Sequence, residues 1–408
     1  MITKDEEEKG LTVTINTTED CNLRCAYCYE ICKKNVSLEF EKYTKFIDLL
    51  LNSAENFETF EKNKFYKQGL IIDFIGGDSL IDPDFLDKCL TYLQEKLLTT
   101  NTPVANYWKW HWVCSISSNG TLFTPKAKAF MNKWQKKLSV GVSIDGCPEI
   151  HDKYRIFPDG SGTMNKILED WDWYCNWAKD SHSGKPSIKA TLSKASIPYI
   201  YESLKYVYET LKMDIFQCNF IMENMHLENS DLEELKKQLD LCIPYVLEHR
   251  HDLYFALFDY EQYANHKLST GDEWEKQGHC GSGCMPALGI NGNIYPCFRW
   301  LQHTQKEGVE PMICGNVNEG WTHFENFNKV SVGAYKCNCT KEEKCKTCIY
   351  ESACPYCIGG CYSEFGEFRR TTYICEVIKI LCEYAKKYWR EYDKLEGTIH
   401  LFESEVGE

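Results

Sequence analysis

Three cysteines within eight residues, Cys21, Cys25 and Cys28 in the pattern C-x3-C-x2-C, constrain this chain more than any other stretch. Thiolates so spaced in one loop can hold three corners of a single iron-sulfur cube and leave its fourth iron without a protein ligand. Electron-transfer clusters are ordinarily closed by four cysteines, so a set of three reserves one iron for something exchangeable. The same residues also suit most of a zinc site, or a small buried apolar role in a cysteine-rich chain. Residues further along the chain separate these readings.

Composition sets the bounds. A chain of 408 residues can bury a sizeable core and is expected to form two or three domains. Its 43% hydrophobic and 26% charged residues fit a soluble globular protein. The start, Met1 to Lys9, is acidic where a secretory signal needs basic and apolar residues. No apolar run approaches the ~18 residues of a membrane span, and a cytoplasmic location with no membrane partner is expected. In that compartment 23 cysteines argue for metal rather than disulfides. A formal charge of -14 disfavours a nucleic-acid partner.

Six β-branched runs alternate with amphipathic helical stretches: Leu11 to Asn16, Leu70 to Ile75, Trp112 to Ser117, Leu138 to Ile144, Ser187 to Leu192 and Asp214 to Ile221. That alternation implies parallel βα units, an α/β fold with a partial (β/α)6 barrel. Helix starts are expected at Ser37, Asp82-Pro83, Thr124-Pro125 and Ser196 near Pro198, and a capping box at Ser230 to Glu233 opens a helix through about Glu248. Chemistry in parallel barrels gathers at the C-terminal strand ends. The cysteine loop comes after the first strand, Gly76-Gly77-Asp78-Ser79 after the second, Ser117-Ser118-Asn119-Gly120-Thr121 after the third and Ser143-Ile144-Asp145-Gly146 after the fourth. Each by itself is also an ordinary turn.

Taken together, these motifs resemble those of the radical S-adenosylmethionine (SAM) enzymes, with Tyr27 as the aromatic just before the last cysteine. In that family the open iron is chelated by SAM, and one electron from the cluster releases a 5′-deoxyadenosyl radical that abstracts hydrogen from a substrate. The resemblance implies that Gly76, Gly77 and Asp78 stand for the Gly-Gly-Glu-Pro element at the SAM amino group, with Asp a methylene shorter than Glu and Ser79 in place of Pro. Ser117 and Asn119 lie in a turn similar to the ribose-side one. Ser143 and Asp145, with His151-Asp152-Lys153-Tyr154-Arg155, resemble the SIDG and HDxxR pattern of peptide-modifying members; Ser143 is then expected to contact SAM and Arg155 to pair with its carboxylate.

A second cysteine module runs from 275 to 384. Cys280-x3-Cys284 is followed by Gly292-x4-Cys297, then Cys345-x2-Cys348-x5-Cys354-x2-Cys357-x3-Cys361, and Cys375. This order resembles the SPASM extension of radical SAM peptide maturases and implies two auxiliary [4Fe-4S] clusters, one on Cys280, Cys284, Cys297 and Cys361, the other on Cys345, Cys348, Cys354 and Cys375. Cys357 competes with Cys354, and Cys314, Cys337 and Cys339 are surplus. Zinc ribbons also use C-x2-C pairs and would make the module a folding staple without redox chemistry. Cys32, Cys89, Cys114, Cys147, Cys175, Cys218 and Cys242 lie outside any ligand spacing and are expected to pack. The expected organisation is a radical SAM core over 1–222, a connector over 223–274, the SPASM module over 275–384 and a C-terminal helix and tail over 385–408.

The resemblance implies modification of a ribosomally made precursor peptide, with a Cys thioether crosslink as the first expectation and flavodoxin or ferredoxin as the kind of electron donor. Formylglycine formation, the work of anaerobic sulfatase maturases, is the alternative; those enzymes place Asp after the G-x4-C cysteine, where this chain has Phe298. Carbon-carbon crosslinking, epimerisation and a zinc-stapled binding module complete the alternatives. Twenty residues precede Cys21, too few for a leader-binding domain ahead of the core, so leader recognition is expected elsewhere.

Overall fold

A nine-stranded sheet organises the chain; across it lie, in order, Gly315–Asn316, Asn293–Tyr295, Ala287–Leu288, Leu11–Thr18, Leu70–Gly76, Trp112–Ser118, Leu138–Ser143, Ser187–Leu192 and Cys218–Phe220. The computed structural model describes residues 11–30, 33–53, 69–223, 225–265, 281–334, 340–346, 348–370 and 372–402. Five strands match the sequence runs closely: β1 (Leu11–Thr18), β2 (Leu70–Gly76), β3 (Trp112–Ser118), β4 (Leu138–Ser143) and β5 (Ser187–Leu192). The sixth run splits into β6 (Ile215–Phe216) and β7 (Cys218–Phe220). β6 leaves the main sheet and pairs instead with β8 (Tyr254–Phe255), drawing the connector onto the barrel.

Alternation in these strands sorts the barrel's two faces. Ile72, Phe74, Ile116, Val140 and Val142 are buried against helices, whereas Ile71, Asp73, Ser115, Gly141 and Ser143 between them keep partial exposure toward the interior. β-branched residues suit such half-covered pleats. Outside, the Phe40–Ser53 helix buries Tyr43, Phe46, Ile47 and Leu50, and the Pro83–Thr99 helix buries Leu86, Leu90, Leu93 and Leu97. At about 2 kcal/mol per large apolar side chain, these stripes account for most of what fixes the helices to the sheet.

Helix starts agree with the sequence at Asp82-Pro83 and Thr124-Pro125. Asp82 Oδ1 accepts the Phe85 N–H at 3.0 Å and Thr124 Oγ1 accepts the Ala127 N–H at 3.2 Å, each with proline in the first turn. Ser37 does something else: its hydroxyl donates to Thr18 Oγ1 at 3.2 Å, fastening the segment beside β1. Ser193 caps the turn expected at Ser196, which serves as its third residue, and Glu228 with Asp231 caps the Asn229–Glu248 helix in place of Ser230.

The second module does not stand apart from the barrel. β9 (Ala287–Leu288) runs parallel to β1, with Thr14 opposite Ala287 and Ile15 opposite Leu288, and β10 (Asn293–Tyr295) and β11 (Gly315–Asn316) extend it antiparallel. A smaller apolar core beside them holds Tyr295, Cys297, Trp300, Leu301, Tyr356, Ile358 and Tyr362. The last helix starts at Cys375 and runs to Glu396, across the position expected for a boundary. It lies on the connector: Tyr388 stacks on Phe258 at 5.0 Å and Trp389 Nε1 donates to the Phe258 carbonyl at 2.9 Å. Among the described residues no helix is long and apolar enough to cross a membrane.

Candidate active site

The loop after β1 is held by all three turns at the ends of β2, β3 and β4. Gly77 N–H donates to the Thr18 carbonyl at 3.0 Å and Asp78 N–H to the Asp20 carbonyl at 3.1 Å. Gly77 is needed there, because a Cβ would sit 1.8 Å from Asp20 O and 2.8 Å from Cys21 Cβ. From the β3 turn, Asn119 Nδ2 donates to Asn22 Oδ1 at 2.8 Å and approaches Cys21 Sγ at 4.0 Å. Beyond β4, the Tyr154 and Ile156 carbonyls accept the Ala26 and Arg24 N–H groups. Three cysteines on one short loop are thereby fixed without any sulfur–sulfur bond.

Burial raises the Cys21 thiol to about 11 and pushes the Cys25 thiol up as well. Such thiols ionise as ligands only where a metal offsets the desolvation. A single tetrahedral zinc with bonds near 2.3 Å would hold its sulfurs about 3.8 Å apart. Among the described residues the one metal-sized grouping of His, Cys, Asp and Glu atoms within 4.8 Å is Cys147, Glu149 and Glu202, which includes none of the motif cysteines. A cube spreads its ligands wider than one ion does, so the donor set fits a cluster better than zinc.

Two residues expected at the cofactor, Asp78 and Arg155, have partners within the chain. Asp78 is 1% exposed, and its carboxylate faces inward: Oδ1 accepts Leu80 N–H at 3.0 Å, and Oδ2 accepts Asn119 N–H at 2.7 Å and Ser118 Oγ–H at 3.0 Å. Burial lifts it to about 6. Asp78 therefore ties the β2 turn to the β3 turn instead of presenting a carboxylate outward. Arg155 forks onto Asp145, Nε to Oδ2 at 2.9 Å and Nη2 to Oδ1 at 3.0 Å, and Tyr27 donates its hydroxyl to the same carboxylate. Thr191 N–H completes Asp145 at 2.9 Å. The guanidinium expected for a ligand carboxylate is thus held by one of the chain's own, with the Tyr27 ring 5.4 Å from Cζ.

Ser117 is exposed and Ser143 half-buried, both on the interior face, opposite Gly141 and Lys189 in register. Gly76 adopts φ +143°, where a Cβ would stand 2.2 Å from Thr18 O. His151 supports the site from behind: fully buried and lowered by that burial to about 4, its Nδ1 accepts Asp145 N–H at 3.2 Å. Its place in the His-Asp-x-x-Arg motif was the available signal for this role.

In the second module Cys345, Cys348, Cys354 and Cys375 line one cavity of about 380 Å³, with Lys344 and Lys379 at its edge. Cys357 is not in that wall. It caps the Ile358–Phe365 helix, Sγ accepting Gly360 N–H at 3.3 Å, and hydrogen-bonds Arg299. Cys297 lies 3.4 Å from Ser282 Oγ, with Cys314 buried close by. Cys284 is half-buried and Cys361 buried in the 358–365 helix. Cys280, Cys337, Cys339 and Cys32 lie outside the described residues.

Between loop and module opens a cavity of about 510 Å³. Ala26, Tyr27, Cys28 and Tyr29 form its wall on the loop side; Arg299, Thr304, Lys306, Gly360 and Glu364 face them. Arg299 bonds Glu223 Oε1 at 2.5 Å and lies 4.8 Å over the Tyr29 ring. No signal in the local sequence marks Arg299, Glu223 or Tyr29, because their meeting depends on the tertiary fold.

No protein-family profile matches the chain. It is 27% identical over 375 residues to a cysteine-type anaerobic sulfatase-maturating enzyme of Clostridium novyi, covering 86% of this chain and 88% of the relative. A shorter match, 23% identical over 36% of this chain and 27% of the relative, is to the antilisterial bacteriocin subtilosin biosynthesis protein AlbA of Bacillus subtilis. Among solved structures, anSMEcpe with bound AdoMet and a Cp18Cys peptide superposes with TM-score 0.68 at 19% identity, over 95% of this chain and all of that one. Streptococcus suis SuiB bound to precursor peptide SuiA gives 0.56 at 17%, over 89% of this chain and 75% of that one. By fold and by relatives, the chain resembles the radical SAM maturases that carry a SPASM extension, and it is an enzyme.

Proposed function

We propose that this enzyme modifies a cysteine-containing peptide, joining a cysteine sulfur to a carbon of another residue as a thioether. The observation that carries the reading is the 510 Å³ cavity shared by the cysteine loop and the second module, of a size that takes a residue or two of a peptide. Its lining mixes Arg299, Lys194 and Lys306 with Glu223 and Glu364 around Tyr27, Tyr29 and Tyr154, groups that bind backbone and polar side chains.

Cys21, Cys25 and Cys28 would hold a [4Fe-4S] cluster, with Gly76, Gly77, Ser117, Asn119 and Ser143 around the SAM position. When bound, that pair would supply a 5′-deoxyadenosyl radical able to take hydrogen from the peptide. Tyr27, Asp145 and Arg155 brace the loop, the Arg155 guanidinium forking onto the Asp145 carboxylate. Cys345, Cys348, Cys354 and Cys375 would hold one auxiliary cluster around their cavity; Cys284, Cys297 and Cys361 belong to the other expected set, with Cys280. A ferredoxin or flavodoxin is the proposed electron source, located with the enzyme in the cytoplasm.

Formylglycine formation stands beside this as a second reading, favoured by the length of the match to the sulfatase-maturating relative. Phe298 comes directly after Cys297 and packs on Tyr29 at 5.9 Å, so a base would have to come from Glu223 or Glu364, the carboxylates lining the cavity. The test is anaerobic incubation with SAM, dithionite and a cysteine-bearing peptide, with the products read by mass spectrometry. Loss of two hydrogens with sulfur retained and the thiol consumed supports the thioether. Loss of sulfur with a new aldehyde replaces it with formylglycine, and an unmodified peptide with SAM uncleaved removes both.

A further inference from the structure

Residues 298–304, directly after Cys297, form two short 3-10 turns, Phe298–Trp300 and Gln302–Thr304, and side chains from both cross to the cysteine loop. Phe298 and Arg299 meet Tyr29. His303 goes deeper. It is 5% exposed, with Nδ1 3.6 Å from Glu19 Oε1 and Nε2 3.7 Å from Glu30 Oε1, close approaches just beyond hydrogen-bond reach that leave Nε2 without a hydrogen bond; Asn16 Nδ2 lies 3.4 Å from Nδ1. Glu19 stands two residues before Cys21 and Glu30 two residues after Cys28. One imidazole therefore spans both ends of the loop.

Both carboxylates are buried, Glu19 at 6% and Glu30 at 4% exposure, and Glu30 has Lys33 on its other oxygen at 3.2 Å. Two carboxylates out of water beside each other are costly unless a polar group stands between them. Each has a lysine from just past the loop near it, Lys33 at Glu30 and Lys34 at Glu19, but the group that lies between the two carboxylates comes from the second module. The turn bearing His303 is in turn locked to the module. Gln305 Nε2 donates to the Arg299 carbonyl at 2.5 Å, Lys306 N–H donates to Ser363 Oγ at 2.9 Å, and a Cβ on Gly359 would stand 2.9 Å from Arg299 O, so the Ile358–Phe365 helix rests directly on it.

We propose that His303 is a positioning residue for the cysteine loop: by bridging Glu19 and Glu30 it makes the placement of Cys21, Cys25 and Cys28 depend on the second module being folded around Cys297. The inference rests on the proposed reading of those three cysteines as ligands of a SAM-binding cluster. It gives the second module a mechanical part in the first site, beside any electron transfer. A chain whose module is unloaded would hold its first cluster in a slack loop and cleave SAM poorly.

The experiment compares parent, His303→Phe and His303→Gln as anaerobically reconstituted full-length protein, by hydrogen exchange and by the EPR signal of the reduced protein with and without SAM. Removing the bridge should raise exchange in residues 19–30 about tenfold, the scale of leaving a buried polar partner unmatched, while the Pro83–Thr99 helix stays as in the parent. The SAM-induced change in the EPR signal should weaken in His303→Phe and return in part in His303→Gln, which keeps a polar end. Cys297→Ala should loosen the same residues with His303 in place. Unchanged exchange at 19–30 in His303→Phe, or a rise that includes the Pro83–Thr99 helix, overturns the proposal. If the parent itself shows no SAM-induced change, the SAM-binding reading fails while the exchange data still decide the bridge.

Discussion

The loop of Cys21, Cys25 and Cys28 and the cavity of Cys345, Cys348, Cys354 and Cys375 gather thiols in opposite ways. The loop sits on the ends of long, apolar strands and is tied by backbone hydrogen bonds from Gly77, Asp78, Arg24 and Ala26. The cavity's cysteines come from turns, a four-residue helix at Glu343–Lys346 and the start of the last helix, with little regular structure between them. A scaffold of the first kind is shaped by its apolar core. One of the second kind draws much of its folding energy from the metal.

Replacing Cys21, Cys25 and Cys28 together by Ala should sharpen that contrast most: SAM cleavage is lost entirely, about four irons per chain disappear, and the thermal transition barely moves. Iron removal by chelation should do the reverse to the module, with limited proteolysis cutting within 281–375 while the barrel's far-UV signal persists; cutting spread evenly over the chain would erase the distinction. Within the module, Cys354→Ala should lower iron by about four per chain and Cys357→Ala should not; equal losses would break the assignment of the cavity. Gly77→Ala tests the scaffold side. A methyl forced against Asp20 O costs about 3 kcal/mol, so the first cluster's iron should fall while the rest stays. The smallest effect concerns pH. The unfolded imidazole takes up a proton near 6.5 and the folded His151 only near 4, so acid favours the unfolded chain across that window. By about pH 5 the parent should lose about 2 kcal/mol relative to its neutral value that His151→Asn does not lose, as read from urea melts; parallel slopes would remove the burial argument.

Where the residues' chemistry was local, the sequence showed it. Strand runs, the proline-marked helix starts and the thiol spacings all lie within a dozen residues, and the barrel was legible from them. Asp78 and Arg155 show the limit, since a motif names the residue and not the partner it turns toward once folded. β9 has two residues and no periodicity to read. His303 meets Asn16 across 287 positions of chain, and Ser230 lost the cap to Glu228 by two places, the scale on which helix ends slide.

The sheet that runs from β5 through β1 into β9 has one more consequence. Thr14 N–H donates to the Pro286 carbonyl at 2.8 Å, so excising the second module would strip a central strand of its neighbour and leave a bare, β-branched margin facing water. Such margins recruit other chains. A barrel expressed alone is expected to precipitate through strand-to-strand adhesion, and the two halves are better regarded as co-inherited than as interchangeable parts.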